Sequence, residues 1–233
     1  MNTCLKATLV CTLFALTINT KAIASTYTDS TGDIFPSFPF LDISSVEVNS
    51  TATDLIFKIN LAGDPVATDW GKYMIGIDTA AGGDTTGNGW GRPISMASGM
   101  DYFVGAWVDS GNGAEVRNWT GTAWNLQSAT YLPNPDNLAV TKNMSSVTIQ
   151  FAFAGLGLAP GSTLQFDVYS SGGGGGDGAI DALANPAQTI SDWGIAYTTQ
   201  SPVSYTIPVP EPATLALLGV GASFLIGRFI RRR

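Results

Sequence analysis

The chain has 233 residues and a formal net charge of −7, with two cysteines and no histidine, which excludes Ser–His–Asp catalysis and nearly all zinc chemistry. Between residues 25 and 208 it carries 17 acidic side chains against five basic ones (Lys58, Lys72, Arg92, Arg117 and Lys142), a net of −12. That balance excludes nucleic acid or an anionic membrane surface as the partner of this stretch and suits divalent cations or solubility outside the cell.

Residues 1–24 read as a secretory signal peptide. Lys6 gives a weakly basic start, residues 7–18 are apolar, and Ala22-Ile23-Ala24 is a small-residue site for signal peptidase. Both cysteines, Cys4 and Cys11, fall inside it, so the exported part has no disulfide and must be held by its core, with metal ions as the remaining brace. Residues 25–208 suit one domain with a full core.

Within that stretch short runs of alternating apolar residues are separated by Gly, Asp, Asn and Ser clusters, the pattern of strands and turns. The predicted strands are 43–48, 54–61, 72–78 and 101–109, then 114–119, 122–126, 138–142 and 146–153. The series ends with 163–170, 193–199 and 203–207. Leu55, Phe57, Ile59 and Leu61 alternate with Ile56, Lys58 and Asn60, a clean period of two. Residues 101–109 look apolar on both faces, which places that strand centrally, with Trp107 in the core. Thr120-Gly121 and Asn143 mark hairpin turns, and 154–158 allow one helical turn. About ten or eleven strands with no sustained helical period predict an all-β fold, a single antiparallel β-sandwich of jelly-roll or Ig-like type.

Two loops are rich in glycine: 79–91, and 170–178 with five consecutive glycines. Neither ends in Gly-Lys-Ser/Thr, so neither is a phosphate-binding loop, and both read as flexible surface connections.

The tail has three parts in order: Val209-Pro210-Glu211-Pro212, an uncharged run over 213–227, and a basic end with Arg228, Arg231, Arg232 and Arg233. The prolines break regular structure ahead of the run, which reads as a short transmembrane helix below the roughly 20 residues of a comfortable span. The arginines suit the cytoplasmic leaflet. A plain C-terminal anchor would share the helix and the arginines but does not require Pro-Glu-Pro. The whole arrangement, 209–233, resembles the PEP-CTERM sorting signal of Gram-negative bacteria. The resemblance implies cutting near 209–212 by exosortase, transient anchoring in the inner membrane, and release to the cell surface or extracellular matrix.

The exported stretch resembles family 9 carbohydrate-binding modules and the related glucodextranase-type and DOMON-like sandwiches. The resemblance rests on Asp29-Ser30-Thr31-Gly32-Asp33, Asp42-Ile43-Ser44-Ser45-Val46-Glu47-Val48, Asp54-Leu55-Ile56-Phe57-Lys58-Ile59, Tyr73-Met74-Ile75-Gly76-Ile77-Asp78, Leu164-Gln165-Phe166-Asp167-Val168 and Ala179-Ile180-Asp181. It implies a sandwich and a structural Ca²⁺ where Asp29, Asp33 and Asp42 gather; Asp177 and Asp181 form a second possible cluster. Calcium takes six to eight oxygen ligands and needs neither histidine nor cysteine. Haem, carried by some DOMON-like proteins, is disfavoured without histidine. Trp90, in a glycine loop, and Trp119 and Trp124, flanking a hairpin turn, are candidates to stack on sugar rings of an extracellular polysaccharide. No carboxylate pair stands out for glycoside hydrolysis, and the expectation is a non-enzymatic matrix or biofilm protein, with or without sugar affinity.

Overall fold

The computed structural model describes residues 24–209, except 36, 37, 110 and 189. The predicted signal peptide (save Ala24) and the sorting tail from residue 210 onward, with its predicted transmembrane helix, lie outside the described residues.

The described chain is made of strands. In order they are β1 (Ser25–Thr28), β2 (Ile43–Ser50), β3 (Asp54–Leu61), β4 (Lys72–Asp78), β5 (Ile94–Met96), β6 (Tyr102–Trp107), β7 (Gly113–Trp119) and β8 (Trp124–Ala129). They continue with β9 (Ala139–Asn143), β10 (Ser146–Ala152), β11 (Thr163–Ser171), β12 (Asp181–Ala182), β13 (Tyr197–Thr199) and β14 (Val203–Thr206). One sheet runs β1-β2-β3-β10-β9; the other runs β12-β11-β4-β6-β7-β8, with β14 also pairing β11. Every pairing in both sheets is antiparallel. The all-β sandwich expected from the alternation is the fold observed.

Period-two alternation decides what each face does. From the first sheet Leu55, Phe57 and Ile59 of β3 and Val147, Ile149 and Phe151 of β10 point inward; Tyr73, Ile75 and Ile77 of β4 and Val104 and Ala106 of β6 meet them from the second. Phe57 stacks on Phe151 at 5.7 Å and takes the edge of Phe166 at 5.1 Å, contacts that each add about 0.5–1.5 kcal/mol beyond area burial. The β9–β10 hairpin closes at Asn143, whose side chain accepts the Ser145 N–H at 2.9 Å.

The second sheet also buries its outer face. Met74, Phe103 and Tyr169 point away from the sandwich core and pack under Ile94, Met96 and Met100, with Trp90 and Trp124 at the margin. This explains why β6 is apolar on both sides: it lies between β4 and β7, with the sandwich core below and a cover of chain above.

Some elements differ from expectation. β1, β5 and β12 are too short for their periodicity to show in sequence. β5 and β13 form a parallel pair, Ile94–Tyr197 to Met96–Thr199, outside the antiparallel scheme. The strand expected at 193–199 shrinks to Tyr197–Thr199, and that expected at 122–126 begins at Trp124 and runs to Ala129, with an irregularity opposite Val116/Arg117. The helical turn is a 3-10 turn at Phe153–Leu156.

Neither glycine-rich loop is the loose connection its composition predicts. In 79–91 the Asp84 carboxylate accepts from Thr86 N and Oγ1 (both 2.8 Å) and from Trp124 Nε1 (2.8 Å). Asn88 is buried and donates to the carbonyls of Arg92 (2.8 Å) and Ile94 (2.7 Å). In the second loop Asp177 accepts from Gly174 N at 2.8 Å, and Ser171 Oγ donates to Gly178 O at 2.6 Å. Side-chain acceptors and donors do what glycine composition alone conceals.

Candidate functional site

Two features of the domain carry chemistry. The first lies where β1 hands over to β2. Asp29 follows β1 and stays on the sheet edge through its N–H to Ser44 O (3.0 Å). The chain then turns through Gly32, at φ +83°, which gives its N–H to Asp42 Oδ2 at 2.8 Å. Asp181 enters from β12: its Oδ2 accepts the Ile43 N–H at 2.6 Å and its Oδ1 that of Ala182 at 2.9 Å. One oxygen from each of Asp29, Asp33 and Asp181 lies within 4.8 Å of the other two. Asp42, 5% exposed, lies near this group of three, its Oδ2 accepting from Gly32.

These carboxylates are short of partners. Asp29 Oδ2, both oxygens of Asp33, and Asp42 Oδ1 are buried without a hydrogen bond among the described residues. None of the four ion pairs among the described residues reaches them. Burial first, then the neighbouring acids Asp33, Asp167 and Asp42, pushes the Asp29 carboxyl up to about 7. Burial, reinforced by Asp29 and Asp33, pushes Asp181 up to about 8. Asp33 is raised by burial and by Asp42, and Asp42 by burial. A buried carboxylate without a partner must take a proton or a cation. Oxygens sharing one Ca²⁺ at 2.3–2.6 Å stand at most about 5 Å apart, which the spacing here satisfies. The donor set is all oxygen and hard, so it fits calcium.

The grouping corrects one expectation. Asp181 gathers with Asp29 and Asp33 rather than only with its sequence neighbour Asp177. Ile180 N bonds Ser170 O and β12 pairs with β11, so Asp181 is drawn into the sheet beside Ile43. Asp177, four residues earlier, is still closing the polyglycine turn.

The second feature is a cleft of roughly 450 Å³ on the outer face of the second sheet, lined by Lys72, Trp90, Arg92, Trp107, Asp109 and Gly175. Its floor is aromatic. The Trp90 ring lies over Gly105, where an added Cβ would sit 2.3 Å from it; Trp107 lies over Gly113 in the same way, at 2.1 Å. The two rings are 6.5 Å apart and inclined by 35°, and Tyr131, 56% exposed, continues the row 6.1 Å beyond Trp107. Glu115 fixes this floor from below by accepting Trp90 Nε1 (3.0 Å), Arg117 Nε (2.8 Å) and the Tyr131 hydroxyl. Burial would raise the Glu115 carboxyl, but hydrogen bonds from Tyr131, Arg117 and Trp90 outweigh it and hold it below its usual range. The rim is charged: Lys72 Nζ donates to Asp109 at 2.8 Å, and Arg92 sits with its guanidinium carbon 5.6 Å from the Trp90 ring centre.

Of the three tryptophans expected to meet sugar, only Trp90 is here. Trp119 and Trp124 face each other across the β7–β8 pair, 5.6 Å apart, and the Trp124 N–H is already given to Asp84. Trp107, expected in the core, points outward and is half-buried. The β6 alternation sends Val104 and Ala106 inward and therefore Phe103, Gly105 and Trp107 outward. A signal was present in sequence: Gly105 and Gly113 interrupt strands, and a strand glycine marks a place where something lies close against the backbone.

Residues 208–233 match the PEP-CTERM protein-sorting motif. No curated protein and no solved structure matches the chain. The motif implies export, transient membrane anchoring and processing by exosortase.

Proposed function

We propose that the exported domain is a non-enzymatic, calcium-braced β-sandwich of the extracellular matrix or cell envelope that holds carbohydrate in the Trp90–Trp107 cleft. The observation that carries this reading is the aromatic floor: two indole rings packed against Gly105 and Gly113, with Lys72, Arg92 and Asp109 around them. Flat aromatic faces bury the apolar C–H face of a sugar, and convergent charged groups take its hydroxyls. The cleft volume falls in the ~300–1,000 Å³ range of small-molecule sites. Resemblance to family 9 carbohydrate-binding modules supports the same reading.

Hydrolysis is disfavoured by the cleft's own acids. A glycosidase needs one carboxyl kept protonated beside a second carboxylate. Glu115 is held low by three donors, so it is not poised as an acid, and Asp109 is engaged in an ion pair with Lys72. Calcium at Asp29, Asp33, Asp42 and Asp181 pins the β1–β2 entry to β12, an entry that no disulfide secures.

Retardation of the full-length protein, in mild detergent, through gels containing neutral or acidic polysaccharides tests the reading. Retardation by at least one polysaccharide is expected. Free migration through every gel would leave a purely structural matrix protein in its place.

A further inference from the structure

Arg92 sets the chemistry of the cleft. It is 7% exposed, yet none of the ion pairs among the described residues includes it. Nη1 donates to Ser171 Oγ (2.8 Å) and to the carbonyl of Asp177 (3.0 Å); Nε and Nη2 have no partner among the described residues. Burial lowers its pKa, with the Asp177 charge opposing, but a guanidinium stays cationic at any physiological pH. Lys72, by contrast, is neutralised by Asp109 at 2.8 Å. The lining side chains therefore sum to one positive charge, in a domain whose net is −12. Two of the five cations between residues 25 and 208 meet in this one cleft.

Geometry narrows the ligand further. Nε and Nη2 form the side-on edge of the guanidinium, the edge that takes a planar carboxylate with two parallel hydrogen bonds. Nη1 is held from behind by Ser171 and Asp177, and the Trp90 face lies beside the guanidinium, so the fork is oriented before any ligand arrives.

We propose that the cleft selects an acidic glycan, a uronate-type sugar whose carboxylate docks on Arg92 while its ring lies across Trp90 and Trp107. This rests on the carbohydrate reading of the same cleft. A neutral sugar would cover Nε and Nη2 without giving them a charged acceptor, which disfavours it relative to the acid.

The test uses full-length protein in mild detergent at fixed calcium, titrated with short galacturonate, mannuronate and glucuronate oligomers and with the methyl esters of each. Esterification removes the charge and keeps the ring. At least one acid should bind about tenfold or more tightly than its ester, the worth of one charge-assisted hydrogen bond. Arg92→Gln should erase that preference, bringing the acid and its ester to equal affinity. Equal affinity for every acid and its ester in the unmutated protein overturns acid selection and leaves the carbohydrate reading standing. Binding of none of the acids or esters overturns acid selection as well, and binding of none of the polysaccharides overturns the wider reading. Because the acid–ester comparison needs no substitution, a folding defect in Arg92→Gln does not blunt the test.

Discussion

If calcium occupies the aspartate cluster as proposed, chelation at alkaline pH should destabilise the domain, while at acidic pH it should matter far less. Without an ion the four aspartates rely on protons. Their carboxyls are raised in the folded state, with Asp29 at about 7 and Asp181 at about 8. A raised carboxyl favours the protonated form, so its share of stability is whole below the unfolded value near 4 and is lost as pH climbs through 7 and 8. For the buried Asp181, carried from 3.8 to about 8, the loss by pH 8 is on the order of 5 kcal/mol at ~1.36 kcal/mol per pH unit. Asp29, partly open to solvent, adds a smaller, screened share. A domain of this size has only about 5–15 kcal/mol in all. At about 2–4 °C per kcal/mol, removing the ~2.7 kcal/mol that calcium at a hundredfold excess over its Kd supplies should lower the melting temperature at pH 8 by roughly 5–10 °C. At pH 5, where protons replace the ion, the drop should be much smaller. Calcium at a hundredfold excess over its Kd restores about 2.7 kcal/mol. Thermal melts by circular dichroism with EDTA, then with added calcium, at both pH values read this directly. An unchanged melting temperature at pH 8, or a larger chelator effect at pH 5 than at pH 8, would refute the metal centre.

Two further predictions concern the cleft and its cover. Gly105→Ala places a methyl 2.3 Å from the Trp90 ring; the ring must leave, at about 1–3 kcal/mol of overpacking, and sugar binding should vanish while calorimetry still shows a cooperative melt. Trp124→Phe removes the N–H that Asp84 accepts at 2.8 Å; stability should fall by about 1.5–3 kcal/mol in urea unfolding, with polysaccharide retardation unchanged.

The sequence read well wherever a pattern was local and long enough to repeat. β3 shows this, its four inward residues spaced by two over Asp54–Leu61, and so does the Asn143 turn. Asp29, Asp33 and Asp42 sit within fourteen residues of one another, so their gathering could be anticipated from the chain's entry into the fold. Asp181 could not be placed with them, because its bond to Ile43 N joins positions 138 residues apart and only the strand order of the second sheet brings them together. Sequence nearness drew it to Asp177 instead. The tryptophans failed for a related reason. Alternation assigns Phe103 and Trp107 to one face of β6 and Val104 and Ala106 to the other, but both faces are apolar. Which face the protein covers with its own loop depends on Asp84 and Asn88 folding residues 79–91 back over the sheet. Exposure of a loop tryptophan was a fair expectation from composition; the capture of Trp124 by Asp84 was a tertiary event.

Which tryptophan carries the proposed carbohydrate binding separates the cleft from the β7–β8 hairpin most directly. Affinity for the best-retarding polysaccharide, measured by titration calorimetry on full-length Trp107→Ala and Trp119→Ala proteins in mild detergent, separates the cleft from the hairpin. Trp107→Ala should abolish binding and Trp119→Ala should leave it within twofold of the unmutated protein, a difference of about 0.4 kcal/mol or less. Retained binding in Trp107→Ala with loss in Trp119→Ala would contradict the cleft as the site.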